Sequence, residues 1–188
     1  MGRIVVTEFV SLDGVMEDPG GSEGTEHGGW SMAYWHDEIA RVKFDELFAS
    51  DAQLLGRVTY QGVAAAWPAM HDEFADRMNG MPKYVVSKTL SDLSWNNSHL
   101  LNGDLAADVT SLKQQAGRDI LVAGSRSLVQ GLRQHGLVDL YRLLVYPVVL
   151  GSGKRIFEDG GRSNLKLVTA RPVGPQVVLM EYEAVRER

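Results

Sequence analysis

Residues 56 to 59, Gly-Arg-Val-Thr, follow a short apolar run, Gln53 to Leu55, and lead into Tyr60-Gln61-Gly62. A strand that ends in glycine and feeds a helix leaves several backbone N–H groups aimed at one point, beside the positive end of the helix dipole. Such a point favours an anion. Arg57 adds a forked cation suited to phosphate and Thr59 a hydroxyl donor. Gly56, Arg57 and Thr59 therefore read as a cradle for one phosphate of a dinucleotide. The same residues also make a tight turn followed by a solvated arginine, and a motif this short does not separate the two.

Two further stretches carry compatible chemistry. Ala123-Gly124-Ser125-Arg126-Ser127 is a second glycine turn at a helix start, with hydroxyls at Ser125 and Ser127. Ser87-Lys88-Thr89 sets a hydroxyl beside an ammonium. Two helix N-termini suit the two phosphates of a pyrophosphate. A separate Ser/Lys pair suits the extra ribose phosphate that distinguishes NADPH from NADH. Taken singly, Ser125 is also a plain helix cap and Ser87-Lys88 a polar turn. The pattern is not the Rossmann fingerprint, since no Gly-x-Gly-x-x-Gly is present. Gly151-Ser152-Gly153-Lys154-Arg155 lacks the Ser or Thr that a P-loop carries after its lysine.

These turns need a sheet to bring them together. Ile4 to Val10, Gln53 to Leu55, Lys83 to Val86, Asn97 to Leu101 and Asp119 to Ala123 read as strands. Helical spacing covers Tyr34 to Ala49, Arg57 to Ala65, residues 71 to 79, Leu105 to Ala116 and Ser125 to Gln134. Strands separated by helices pair in parallel by right-handed crossovers. Leu140 to Leu150, Leu165 to Ala170 and Val177 to Val185 follow with no helix between them, which implies antiparallel pairing. The expected fold is α/β in three layers, with a mixed, mostly parallel central sheet and antiparallel C-terminal strands. Parallel strands carry their C-terminal ends to one rim, where open α/β sheets bind ligands.

Composition narrows the function classes. The 188 residues fit one domain, 1 to 188, with no linker, repeat or low-complexity tract. A net charge of −5 and scattered Lys and Arg argue against a nucleic-acid partner. With no cysteine there is neither disulfide nor thiolate metal site, and His27 and His36 stand in no ligand pattern, so no metal is expected. The longest apolar stretch, Leu143 to Leu150, contains Pro147 and is too short for a bilayer, and the N-terminus is strand-like. No membrane partner and a cytoplasmic location are expected.

Ser11-Leu12-Asp13-Gly14, Leu54 to Tyr60, Lys83 to Leu90, Asp119 to Ser125 and Tyr146 to Gly153, in that order, resemble the RibD C-terminal reductase domain family. The resemblance covers almost the whole chain. It implies the dihydrofolate reductase fold, NADPH as hydride donor and a homodimer. By matching position, Gly56, Arg57 and Thr59 face the cofactor phosphates, Ser87 and Lys88 the ribose phosphate, and Gly124, Ser125 and Arg126 the pyrophosphate turn. Ala123-Gly124 departs from the Gly-Gly that members of the family often carry.

The implied reaction also needs an acid or an ordered water beside the substrate. The strand, loop and helix that flank the nicotinamide in this architecture offer Asp13, Glu17, Asp37 and Glu38. Asp13 is favoured as a substrate contact, although Asp before Gly is also a turn signal. Asp37 and Glu38 lie near the acid-bearing helix of folate reductases, and also suit a helix N-terminus electrostatically. Trp30, Met32 and Trp35 offer stacking surfaces or core packing. Lys154 and Arg155 suit a phosphorylated sugar on the substrate, or are plain surface charge. The expected activity is an NADPH-dependent reductase of a nitrogen heterocycle, first of the riboflavin-pathway type that reduces a ribosylaminopyrimidine phosphate. The alternatives are a dihydrofolate or pteridine reductase, and a non-catalytic nucleotide- or flavin-binding protein.

Overall fold

The computed structural model of the chain describes residues 1–157 and 161–185. Its elements run β1 (Ile4–Ser11), α1 (Asp37–Phe48), β2 (Ser50–Gly56), α2 (Arg57–Ala66), α3 (Glu73–Gly80), β3 (Lys83–Val86) and β4 (Ser98–Leu101). They continue with α4 (Leu105–Gln115), β5 (Asp119–Val122), α5 (Arg126–Gln134), β6 (Leu140–Tyr146), β7 (Leu165–Val173) and β8 (Val177–Ala184). One eight-stranded sheet joins the strands in the order β4-β3-β2-β5-β1-β6-β8-β7. The first six in that order are parallel, and β8 pairs antiparallel with both β6 and β7.

Burial on both faces explains why the central strands are nearly continuous apolar runs. On one face α4 and α5 bury Val109, Leu112, Leu128, Val129 and Leu132 against Ile4, Val6, Leu54, Ile120 and Val122. The opposite face packs Leu47, Tyr60 and Met78 against Val5, Leu55, Val85 and Leu121. Towards β8, Trp30, Ile39 and Tyr146 close a third cluster with Leu144, Val177 and Leu179.

Several expected boundaries move, among them β2, which begins at Ser50, and β7, which runs on to Val173; two others move for a clear local reason. The helix read from Tyr34 begins at Asp37, because a 3-10 turn at Met32–Tyr34 gives way to extended backbone at His36. His36 then caps α1 by accepting the Glu38 N–H. The strand read to Leu150 ends at Tyr146, since Pro147 has no N–H for the ladder. Beyond it, Val148 N–H turns back onto the Tyr146 carbonyl at 2.8 Å. The long loop after β1 is tied around buried Asp18, whose carboxylate accepts from the N–H groups of Glu23 and Thr25. Among the described residues no helix is long and apolar enough to cross a membrane, and no three acidic or histidine side chains gather as metal ligands.

Candidate active site

The strand order makes β2 and β5 neighbours, yet β2 leads through α2 to β3 on one side and β5 leads through α5 to β6 on the other. The rim between them is therefore a topological switch point, with α2 and α5 starting on opposite faces of one crevice. The residues that lead into them touch. Gly56 N–H donates to the Gly124 carbonyl at 3.3 Å. A methyl group on Gly56 would stand 2.1 Å from Ser125 Oγ, and one on Gly124 would stand 2.7 Å from Thr59 Oγ1. Gly124 also has φ near +93°. Both positions thus require glycine, one for space and one for space and backbone together.

The helix ends at this crevice differ from the other three. His36, Asp72 and Asp104 each cap their helix by accepting a backbone N–H. Gly56 has no side chain to cap α2, and Ser125, although a good capping type, makes no cap bond. Its hydroxyl lies 3.0 Å from Ser127 Oγ instead. The first turns of α2 and α5 therefore present backbone donors without side-chain acceptors at one place.

Around this centre the expected residues divide. Arg57 is exposed, and its Nη1 donates to Gln61 Oε1 at 3.1 Å. Arg126 Nε donates to the Arg155 carbonyl at 3.3 Å, which ties α5 to the loop after β6. One strand beyond β2, Lys88 is exposed beside the ends of β3 and β4, donating to the carbonyls of Asn102 (2.6 Å) and Gly103 (2.5 Å). Ser87 is buried, and its Oγ accepts from the N–H groups of Thr89 and Leu90. Lys88 reaches the rim as an ammonium, while Ser87 mainly shapes the turn that presents it.

The acidic candidates occupy three different settings. Asp13 accepts from Ser11 Oγ (2.7 Å), Leu150 N–H (3.1 Å) and Gly151 N–H (2.9 Å), and Arg155 lies 3.5 Å away. The Ser11 hydroxyl, with those amides and against the cost of burial, holds the Asp13 carboxyl down at about 2. It is ionised at neutral pH and clamps the loop after β6 to the loop after β1. Asp37 is exposed, and Glu38 accepts the Gly174 N–H from the β7–β8 turn at 3.0 Å. That turn lies on the β8 side of the rim, away from Gly56 and Gly124.

Two clefts open on the same β1–β6–β8 side. One of about 190 Å³ lies between Glu17, His27 and the Leu150–Gly153 loop, and Lys154 pairs with Glu17 at 3.0 Å beside it. The other, about 110 Å³, is walled by Trp35, His36, Pro175 and Val177. Trp35 is half exposed there with its ring 6.5 Å from Phe9, whereas Trp30 is buried and donates Nε1–H to the Glu17 carbonyl.

One acidic residue near the crevice escaped the sequence reading. Glu8 sits in the middle of β1, where Val6 pairs with Val122, so two residues on it lies beside Gly124. Its carboxyl stands near enough to the Gly124 N–H to feel it, and Glu8 Oε1 is buried with no hydrogen-bonding partner. Desolvation pushes the carboxyl up to about 8, with Lys43 and the Gly124 N–H opposing and Glu46 reinforcing. The signal lay in the alternation of β1: Ile4, Val6 and Val10 face one core, and Glu8 falls on the same face.

Comparisons with known proteins bear on this geometry. YyaP, an uncharacterized protein of Bacillus subtilis (strain 168), is 31% identical over 186 residues, spanning 96% of this chain and 94% of that protein. Among solved structures, a Thermotoga maritima diaminohydroxyphosphoribosylaminopyrimidine deaminase/5-amino-6-(5-phosphoribosylamino)uracil reductase superposes with a TM-score of 0.67 at 13% identity, over 98% of this chain and 57% of that one. Dihydrofolate reductase from Enterococcus faecalis, complexed with NADP(H), gives 0.63 at 13% identity over 97% and 96%. At those identities the likeness is one of fold, and it makes this sheet dihydrofolate-reductase-like. The model of the RibD C-terminal domain matches residues 3–179, and the chain belongs to the RibD C-terminal domain family.

Proposed function

We propose that the chain is an NADPH-dependent reductase of a nitrogen heterocycle, of the riboflavin-pathway type that acts on a ribosylaminopyrimidine phosphate. The observation that carries this reading is the contact of two uncapped helix N-termini across Gly56 and Gly124, where side chains would intrude. Facing backbone donors of that kind fit the two phosphates of a dinucleotide linker. The first turns of α2 and α5 would hold the pyrophosphate, with Arg57, Thr59, Ser125 and Arg126 around it. Lys88 and Ser87, one strand over, would take the ribose phosphate. A dinucleotide held there would supply a hydride.

On the substrate side, Trp35 offers an exposed ring and Lys154 a cation for a sugar phosphate, each beside one of the two clefts. Asp13 orders the loop that carries Lys154 and Arg155, while Asp37 and Glu38 favour the start of α1 and Glu38 braces it against the β7–β8 turn. A cytoplasmic homodimer completes the reading. Exposed Leu167 and Val168 on edge strand β7 supply an apolar surface for the second copy.

The test is NADPH oxidation followed at 340 nm with 5-amino-6-(5-phosphoribosylamino)uracil as substrate, in the parent and in Gly124→Val. Turnover in the parent that Gly124→Val abolishes supports the reading. NADPH left unconsumed at saturating substrate contradicts it.

A further inference from the structure

We propose that Glu8 is the proton-carrying acid at the redox end of the dinucleotide site, meeting the nicotinamide ring and giving its proton to the substrate. The inference rests on the reading of the crevice as a dinucleotide site and adds to it the group that completes the reduction. None of the acids named from the sequence stands at the Gly56–Gly124 contact, whereas Glu8 does.

The placement follows from the order of groups along the rim. Lys88 follows β3, Arg57 follows β2, Ser125 follows β5 and Glu8 lies on β1, and these four strands are consecutive neighbours. At about 4.8 Å per strand, Lys88 and Glu8 stand roughly 14 Å apart, on opposite sides of the central turns. A linker held at Gly56 and Gly124 with its ribose phosphate towards Lys88 sends its other nucleoside towards β1. Glu8 is the titratable group waiting there. Its carboxyl stands beside the turn that would grip the linker, and Oε1 is buried with no hydrogen-bonding partner. A buried acceptor left unmet is costly, and a ligand that meets it recovers that cost.

The charge state suits the task. With its carboxyl pushed up to about 8, Glu8 holds its proton at neutral pH. The charged groups acting on it, Lys43 and Glu46 of α1, oppose each other in sign. In the reaction the substrate's C=N carbon takes the hydride with its electron pair and forms a C–H bond, so the substrate is reduced and the nicotinamide oxidised. Glu8 breaks its O–H bond, its proton forms the N–H bond, and its carboxylate is left facing a ring that has just become cationic. Solvent returns the proton after product leaves.

This predicts a coupling that can be read without knowing the substrate. The oxidised ring is cationic and favours ionised Glu8, whereas the reduced ring is neutral and does not. The NADP⁺-to-NADPH affinity ratio, in which titration of the shared phosphates cancels, is expected to rise about tenfold between about pH 6 and about pH 9 in the parent. In Glu8→Gln, which keeps the shape of the neutral acid, the ratio is expected to change by about twofold or less over the same range. Calorimetry of NADP⁺ binding to the parent in two buffers of different ionisation enthalpy, near pH 8, provides a check that needs no variant: protons are released with NADP⁺ and not with NADPH. A ratio that stays flat in the parent, or keeps its slope in Glu8→Gln, overturns the role of Glu8 and leaves the dinucleotide site standing. Failure of both nucleotides to bind overturns the site itself and this inference with it.

Discussion

A methyl group placed on Gly124 meets the Thr59 hydroxyl at 2.7 Å, on a backbone whose φ of +93° already disfavours a side chain. Gly124→Ala is therefore expected to lower stability by about 2 kcal/mol, seen as an earlier urea midpoint with unchanged slope. Arg57→Ala should behave in the opposite way. The guanidinium is exposed and, among the described residues, hydrogen-bonds Gln61, so its loss should cost about 0.5 kcal/mol or less of stability. It is nonetheless expected to weaken NADPH binding by about tenfold or more, the value of one charge-assisted bond to phosphate. Titration calorimetry beside denaturation separates the two effects. Asp13 gives a pH signature. Its carboxyl is lowered from 3.8 to about 2, so it stabilises the fold above its unfolded pKa, by about 1 kcal/mol once solvent screening is counted. That contribution is lost as pH falls through about 2. The deficit of Asp13→Ala in urea should therefore be full at pH 7 and shrink steadily below about pH 4. The glycines and cations at the crevice were legible because residue type dictated a turn and a charge. Glu8 was not, since one carboxylate in an apolar strand reads locally as a break in the pattern rather than as a site.

Among the elements, α3 and β3 depend on a lysine that the sequence shows only as the first residue of a strand. Lys83 is fully buried, donating to the carbonyls of Asn79 (2.8 Å), Met81 (2.9 Å) and Asn96 (2.9 Å), with its ammonium 4.2 Å from the centre of the Trp95 ring. Lys83→Met should strand three carbonyls and cost about 3 kcal/mol, measured by urea denaturation at pH 7. Most element positions could be read because burial on both faces writes long apolar runs and because glycine and proline mark the ends. Which strand pairs with which was less legible. Three consecutive C-terminal strands suggest sequential pairing, yet β8 inserts between β6 and β7. That choice comes from packing Val177 and Leu179 against Tyr146, a contact between distant residues that no local pattern carries. The cap at Ser125 is a similar case. Its residue type promises a capping bond, and only the neighbouring Ser127 decides where the hydroxyl turns.

For the whole molecule, one continuous sheet with helices on both faces implies that the described residues unfold in one cooperative step, so circular dichroism and tryptophan fluorescence should report a single coincident transition. The proposed homodimer places Leu167 and Val168 at its contact; Leu167→Asp should shift the mass measured by light scattering from dimer to monomer. The overall architecture was readable because helices alternate with strands up to β6 and then stop. The meeting of residues 56 and 124 was not, because it depends on β5 lying beside β2. The most direct measurement of the central claim is a thermal-shift comparison of NADPH with NADH on the parent and on Lys88→Ala. NADPH is expected to raise the melting temperature of the parent more than NADH does, and Lys88→Ala to remove most of that preference. A parent melting temperature unmoved by either nucleotide would contradict it.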